Sequence, residues 1–508
     1  MNQTKTNIIA NFAGRFMIAI LSIVFVPVYL RYLSVEMYGI IGFFASIQAF
    51  LFLLDGGISP TLNREVARLS AFTDKAQELR DLSRTLEVLC WATGLIVCII
   101  ALTASPVAAN YWLKSENLST ETIREALMIM SVTFAFQWAM GFYTGGMYGL
   151  QEQKSLNLIN VILAFIRAFG AFLVLAFVSP TIKAFLLWQL VTTALNCLLL
   201  LIYFWKKLPK SIEKPRFKLN LLKEVWRYAA GMASTSLVVL VLTQTDKLIL
   251  SKMLTLEDFG YYSLAITLAG TAIGIIVGSI QTTYYPQFSQ LVAQDKIDEL
   301  RELYHRACQV MSFFLIPVVS ILAFFSYEIL LVWTRKPEIA EKTYILLTLV
   351  AIGTGLNGLM HLPYYAQLAF GITKIGFWQN VIAIIFLIPF MIFTTFHYGA
   401  VGGAMSWAIL NFSYTIFGMQ VMHRMILQGE LKKWYFEDTI TPILVAAIIL
   451  YSGKYLLDLT GATTFQIVTV VGILSLTVLF TSAFALPKIR DSFSHHLRKT
   501  LARLNYGI

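Results

Sequence analysis

Apolar runs of about 20 residues follow one another from residue 8 to residue 486, each long enough to carry a helix across about 30 Å of hydrocarbon. Inside a bilayer every backbone N–H and C=O must be satisfied within the protein, so only helices and closed barrels can span it. These runs are continuous rather than alternating in ten-residue segments, which excludes a barrel. Fourteen spans are expected, at 8–30, 38–61, 85–105, 123–150, 156–178, 183–205, 225–251, 258–284, 306–332, 341–366, 375–396, 401–424, 438–458 and 464–486. The chain is 57% hydrophobic and 13% charged, against roughly 25% charged in a soluble domain. The first run is too long for a signal-peptide core and has no basic region before it, so it is expected to remain as a helix. The predicted fold class is an all-α polytopic membrane protein.

A repeat divides the helices. Leu33-Ser34-Val35-Glu36-Met37-Tyr38-Gly39 returns 221 residues later as Leu254-Thr255-Leu256-Glu257-Asp258-Phe259-Gly260. Lys154 with Asn160-Val161-Ile162 matches Lys374 with Asn380-Val381-Ile382 at an offset of 220, and Trp188 matches Trp407 at 219. Two pseudo-symmetric six-helix lobes are expected, at 1–205 and 225–424. A basic linker over 206–224 joins them, and 425–508 holds helices 13 and 14 and a basic tail. An even number of spans per copy makes this a parallel repeat about an axis along the membrane normal.

Charge sets the topology. With the N-terminus inside, 27 of the 39 Lys and Arg fall in cytoplasmic segments and nine in outer ones, which places both termini in the cytoplasm. The net charge of +11 is therefore a topology signal and a grip on anionic lipid, with no nucleic acid implied. The inner loop at 62–84 and the tail from Lys488 to Arg503 read as basic amphipathic surface helices. The four cysteines lie in or beside apolar runs and suggest neither disulfides nor a metal site. No phosphate-binding Gly-rich loop, zinc-ligand spacing or large outer loop with clustered carboxylates occurs. An enzyme is not expected, nor is a cofactor.

The candidate site residues are polar groups where lipid would penalise them. Asn7, Asn11, Arg15 and Ser22 share a face of helix 1, and Gln48, Asp55, Ser59 and Asn63 share one of helix 2. Arg15 and Asp55 each lie about 10 Å deep at 1.5 Å per residue. They pair either to hold the two helices together or to set an anion-binding arginine beside a water-filled cavity, and Arg15 can also snorkel to the interface. Arg167 is mid-span in helix 5 with Asn160 on its face, so it should face the bundle or a cavity. Lys247 shares a face of helix 7 with Ser236 and Thr243, while Asp246 points about 100° away. Gln137, Thr144 and Tyr148 line a stripe of helix 4; Thr354, Asn357, His361 and Tyr364 line one of helix 10. Because Gln137 falls on Asn357 at the repeat offset, the two stripes suggest a shared polar cavity, with interhelical hydrogen bonding as the competing reading. His361 can titrate near neutrality. Thr267, Gly270, Thr271, Gly274 and Gly278 of helix 8 form a small-residue surface suited to close packing.

The motifs together resemble those of the Wzx-type O-antigen flippases, within the multidrug/oligosaccharidyl-lipid/polysaccharide exporter superfamily. The resemblance is carried by Gly14-Arg15, Pro27-Val28-Tyr29-Leu30 and the 33–39 motif. Asp55-Gly56-Gly57-Ile58 with Asn63-Arg64-Glu65, and Gly149-Leu150-Gln151 with Asn157 and Asn160, extend it. The resemblance implies alternating access and a bacterial inner membrane. Its implied cargo is an undecaprenyl diphosphate bearing a short oligosaccharide, with polysaccharide polymerase and chain-length proteins as partners. For such a cargo Arg15, Arg64, Arg167 and Lys247 would serve a diphosphate. Asn11, Asn63, Gln137, Tyr148, Asn357 and Tyr364 would serve sugars, and Asp55, Asp246 or His361 would couple an ion. The related lipid II flippase suggests the polyprenyl tail lies along helices 13 and 14. Alternatives are a lipid II flippase or drug exporter of the same superfamily, a membrane-embedded polymerase or transferase, and a scaffold for cell-wall enzymes.

Overall fold

The computed structural model describes residues 3–53, 57–457, 459 and 461–491. Among these there is no β-strand, only a single bridge between Lys114 and Thr255. Helices run in the order α1 (Gln3–Tyr29), α2 (Val35–Leu53), α3 (Ile58–Leu69), α4 (Ala76–Val107), α5 (Thr120–Gly149), α6 (Gln153–Phe177), α7 (Ile182–Lys207), α8 (Leu219–Met253) and α9 (Leu256–Ala293). They continue with α10 (Ile297–Phe324), α11 (Ser326–Thr334), α12 (Pro337–Ala369), α13 (Lys374–Ser413), α14 (Met419–Met425), α15 (Leu431–Lys433), α16 (Thr441–Leu456) and α17 (Thr464–Ala485). Among the described residues eleven helical stretches are long and apolar enough to cross a membrane. The all-α polytopic class is thus observed.

Two expected spans are built differently from the apolar-run reading. The run at 38–61 is divided between α2 and α3, with Gly57 at φ 72° capping α3. Alone among the twenty residues, glycine takes that left-handed conformation without a Cβ penalty. Helix α3 then lies with Leu62, Val66 and Leu69 buried and Arg64 and Arg68 exposed, so its apolar face is spent on protein core. The runs at 375–396 and 401–424 form one continuous helical stretch that reverses at Gly399 (φ 57°, ψ −138°). Across this break Thr394 Oγ1 donates to the Gly402 carbonyl at 3.1 Å and lies 2.8 Å from Ser406 Oγ.

The chain divides into two compact units, Met1–Ser263 and Leu264–Ile508. In the first, α3, α4, α5 and α7 share a core that includes Leu62, Leu86, Phe142, Met147 and Phe204. Helix α3 reaches α5 through glycines: a Cβ on Gly145 would meet the Ser59 carbonyl oxygen at 2.5 Å, and one on Gly149 the Asn63 carbonyl at 2.6 Å. Buried Glu87 ties three helices by accepting from Tyr143 Oη (2.7 Å), Trp205 Nε1 (2.9 Å) and Arg84 (2.7 Å).

The two copies of the repeat signature meet within this first unit. A Cβ on Gly39 would fall on the Leu256 carbonyl oxygen, and a Cβ on Gly260 on the Val35 carbonyl oxygen. Since 35 pairs with 256 and 39 with 260 at the repeat offset of 221, the contact is reciprocal. The loop after α4 reinforces it. Glu36 accepts from Ser115 Oγ (2.7 Å) and the Glu116 N–H (2.8 Å), while the Leu256 N–H donates to the Lys114 carbonyl (2.7 Å).

In the second unit α10 packs on α12, where a Cβ on Gly355 would meet Val319 at 2.6 Å and one on Gly358 would meet Leu315 at 2.8 Å. At one end of α10 a histidine is set between two carboxylates. His305 Nδ1 lies 2.5 Å from Asp438 and Nε2 lies 2.9 Å from Glu430. Gln309 Nε2 donates to the other Asp438 oxygen at 2.9 Å, and the Gln309 side-chain oxygen accepts the Lys488 N–H at 2.7 Å. The expected close packing at α9 differs: a Cβ at Gly274 or Gly278 would meet no described atom within 4 Å. The tail helix expected to Arg503 lies outside the described residues beyond residue 491.

Candidate functional site

In the first unit, α2, α5 and α6 enclose a cavity of about 430 Å³. Gln48 of α2, Gln137 and Thr144 of α5 and Arg167 of α6 supply its polar lining. Helix α6 is fixed on its other side: Tyr29 Oη donates to the Ala168 carbonyl at 3.0 Å, and Trp188 Nε1 donates to the Arg167 carbonyl at 3.1 Å. These anchors hold the backbone at 167 and 168, leaving the guanidinium to the cavity. Arg167 Nε is buried with no hydrogen-bond partner among the described residues. An uncompensated buried cation is costly, and an incoming anion relieves that cost.

The second unit holds a smaller polar pocket of about 210 Å³, to which α12 contributes Asn357, His361, Tyr364 and Gln367 and α13 contributes Gln379 and Asn380. A chain of amides gives it a fixed direction. Asn411 Nδ2 donates to the Trp407 carbonyl at 2.8 Å, and a backbone carbonyl can only accept. The Asn411 side-chain oxygen therefore faces Asn357 Nδ2, which donates to it at 2.9 Å. That turns Asn357 Oδ1 towards His361 Nε2, 3.3 Å away, so Nε2 carries hydrogen. His361 Nδ1 lies 2.6 Å from the Gln281 side chain. It donates to the Gln281 oxygen as an imidazolium, or accepts from a rotated Gln281 amide as a neutral ring. His361 thus has a hydrogen-bonded place for either charge state.

The remaining predicted residues are dispersed. Asn11 accepts from Asn157 Nδ2 at 2.5 Å, and the bare face of Gly14 leaves room for Asn157, so these residues form the α1–α6 seam. Arg15 is exposed on α1 among exposed Phe12, Phe16 and Met17. Asp55 lies outside the described residues, and the expected Arg15–Asp55 pairing with it. Asn63 contributes backbone to the Gly149 contact. Arg64 borders a separate charged cavity of about 200 Å³ with Glu65, Arg68 and Glu78, where Arg68 pairs with buried Glu65 at 2.7 Å. Tyr148 packs on the hydrophobic core of the first unit. Lys247 Nζ donates to Gln244 at 3.1 Å and stands 3.9 Å from Asp246, whose Oδ1 is buried without a hydrogen-bond partner.

Sequence reasoning missed Gln281, Gln379, Asn411 and Tyr414 around the His361 pocket. Each lies in or beside a short polar cluster of its helix (Gln281 before Thr282-Thr283, Gln379 beside Asn380, Asn411 and Tyr414 around Ser413), without the helical stripe that singled out Asn357. It also missed the His305–Asp438–Glu430 cluster, whose histidine is more than a hundred residues from either carboxylate.

A model of a family described as "Polysaccharide biosynthesis protein" matches residues 28–335, more than half of the chain. This chain belongs to the polysaccharide biosynthesis protein family. Within that frame, a Shigella flexneri relative named "Putative O-antigen transporter" is 21% identical over 226 residues. That match covers 44% of this chain and 50% of the relative, so the chain spans half the length of the curated relative it matches. The structure of the lipid II flippase MurJ in an inward closed conformation matches with a TM-score of 0.73 at 18% identity, covering 94% of this chain and 97% of that one. An inward-facing multidrug resistance MATE family transporter of the MOP superfamily matches with a TM-score of 0.66 at 13% identity, covering 83% and 96%. This polysaccharide biosynthesis family member therefore shares the fold of those two proteins. Its family match begins in α1 and ends just past α11, so it takes in both signature copies and Arg167.

Proposed function

We propose that this protein is a flippase that moves undecaprenyl-diphosphate-linked oligosaccharide, an O-antigen or similar repeat unit, from the cytoplasmic to the outer leaflet by alternating access. The observation that carries the reading is Arg167, a half-buried arginine whose buried Nε has no hydrogen-bond partner among the described residues, facing a cavity among amide and hydroxyl side chains. A diphosphate supplies the missing counter-charge, and Gln48, Gln137 and Thr144 present the donors and acceptors a sugar needs. The protein works in the bacterial inner membrane with both termini cytoplasmic, handing its cargo to the polymerase and chain-length proteins of the same pathway. It acts as a transporter rather than as an enzyme. Lys247 and Arg64 lie on the route of the anionic headgroup into and out of the site, whereas Arg15, exposed among apolar side chains of α1, lies off it. With the cytoplasm negative, outward movement of one negative charge gains about 2.3 kcal/mol per 100 mV. His361, with Asp55 and Asp246 as further candidates, carries the coupling proton.

The test is complementation of a strain lacking its own O-unit flippase, scored for surface polysaccharide at matched membrane levels of protein. Rescue by wild type and by Arg15→Ala, but not by Arg167→Ala, is the expected pattern. Rescue by Arg167→Ala removes that residue from the path. In vesicles, flipping that ignores both membrane potential and pH gradient removes the proposed drive. The likeness in fold to a lipid II flippase favours lipid II as the second cargo. Rescue of a strain depleted of its lipid II flippase, with none of the O-unit strain, would select it.

A further inference from the structure

An apolar groove of about 510 Å³ opens along α13, between its limbs before and after Gly399. Ile382, Phe386 and Phe390 line one limb and Ile409, Leu410 and Phe417 the other. Phe386 and Phe417 are 71% and 67% exposed, so the protein's own side chains leave the groove unfilled. Its polar end is Gln379 and Tyr414, which also line the pocket of His361 and Asn357. The groove and the polar pocket are thus neighbours that share these two side chains as a polar wall. From Gln379 to Phe390 the helix rises roughly 16 Å at 1.5 Å per residue, about half the hydrocarbon thickness.

The repeat explains why the hairpin is open here. In the first copy Trp188 fills the corresponding hairpin: its ring lies on Gly170, and its Nε1 donates to the Arg167 carbonyl. Positions 167 and 170 correspond, at the offset of 220, to Leu387 and Phe390, both of which line the groove. The matching Trp407 turns to another neighbour. It packs on Gly353, where a Cβ would meet its ring at 2.6 Å, and its Nε1 donates to Thr354 Oγ1 at 3.2 Å. The second copy has withdrawn the residue that closes the first.

We propose that the groove between the limbs of α13 holds the polyisoprenoid tail of the lipid-linked substrate on its entry from the inner leaflet, with the first polar contacts of that lipid at Gln379 and Tyr414 before its diphosphate reaches Arg167. The identity of the occupant rests on the flippase reading. An inner-leaflet lipid has its polar group at the membrane surface and its chain rising through one leaflet, which is the length and polarity of this site. A methyl-branched chain against Phe386, Phe390 and Phe417 is held by apolar burial and dispersion. The proposal sets the tail on the hairpin of the expected spans 375–396 and 401–424, as an alternative to the expected spans 438–458 and 464–486.

The experiment uses the full-length protein in vesicles of phosphatidylethanolamine and phosphatidylglycerol. The probe is a polyprenyl diphosphate carrying a photoactivatable group near the tail end, with a phosphatidylglycerol bearing the same group as comparison. Labelling of the 379–421 region that is suppressed by unlabelled polyprenyl diphosphate, and not by added phosphatidylglycerol, is the expected result. Labelling spread over all lipid-facing helices, or suppressed equally by both lipids, overturns the proposal and makes the groove a place for bulk lipid. Ala383→Trp, which fills the groove, is expected to lower competed labelling about tenfold or more. Ile385→Trp, which adds the same bulk on an exposed position outside the groove, leaves it unchanged and controls for folding. Unchanged labelling of folded Ala383→Trp also overturns the proposal. Specific labelling in a protein that rescues no flippase-deficient strain would uphold the groove and sink the flippase reading; rescue with non-specific labelling would do the reverse.

Discussion

Arg167 can be separated from a packing residue by what its removal does to stability. A charge-assisted hydrogen bond to a substrate phosphate is worth ~1.5–3 kcal/mol, so Arg167→Ala is expected to slow flipping in vesicles about 10- to 100-fold. A residue that glued helices together would also lower the melting temperature when lost. Arg167 has a buried Nε without a partner, so the alanine variant should melt at the same temperature or higher in detergent. Arg167→Lys keeps the charge without the planar fork and should fall between the two in rate. Glu152, in the turn between α5 and α6, makes the opposite kind of contact. Burial raises its pKa, but Lys207 at 2.5 Å and Ser155 at 2.9 Å outweigh that and hold it below the ordinary 4.5. A depressed carboxylate contributes stability that is fully present above the unfolded-state pKa and lost as pH falls through the folded-state value. Lys207→Ala should therefore lower stability slightly at pH 6–8, the effect being small because the lysine is solvent-exposed. Unfolding curves against pH should show the difference shrinking below pH 4.5. That Arg167 faces a cavity was legible because a lone arginine mid-span is costly against lipid. Arg15 was not settled in the same way, since a residue two turns from a helix start can face lipid and still reach the headgroups.

At the scale of the element, helix count and most boundaries follow from apolar run length, because bilayer thickness sets that length independently of tertiary contacts. What run length cannot register is a change of direction within an apolar stretch. Gly57 ends one helix and starts another inside such a stretch, and Gly399 reverses a helix with hardly a break in its hydrogen bonding. The small-residue surface of α9 shows the converse error: glycines that read as close packing meet open space at Gly274 and Gly278, whereas the close approaches are at Gly39 and Gly260. A methyl at either of these two must displace a backbone carbonyl, and overpacking of this kind costs about 1–3 kcal/mol. Gly39→Ala and Gly260→Ala should each lower the melting temperature, while Ala at Gly274 should not. Because both contacts belong to one crossing, the double variant should lose less than the sum of the singles. Strict additivity would show that the two contacts are independent.

Across the whole molecule, the C-terminal helices depend on a buried polar knot. His305 bridges Asp438, at the entry to α16, and Glu430, while Gln309 holds the chain leaving α17 at Lys488. Deleting one partner of a buried hydrogen bond leaves the other unsatisfied and costs about 1–3 kcal/mol. Asp438→Leu should accordingly lower the melting temperature markedly and raise hydrogen exchange in α16 and α17, with Asp438→Asn milder because it keeps its hydrogen-bonding capacity. Equal protection in wild type and Asp438→Leu would show that apolar packing alone holds the pair. The three sequence islands set Trp188 and Trp407 at matching positions but did not disclose their use: the two side chains close different gaps. The signature crossing has a consequence for the history of the chain. A contact in which residue i meets j and j meets i is the mark of a two-fold dimer. A single six-helix polypeptide bearing the 33–39 motif could have made that contact with a second copy of itself, so the join at 206–224 reads as the fusion of two subunits. The glycines at 39 and 260 would then be the remains of a subunit interface, now folded into one protein.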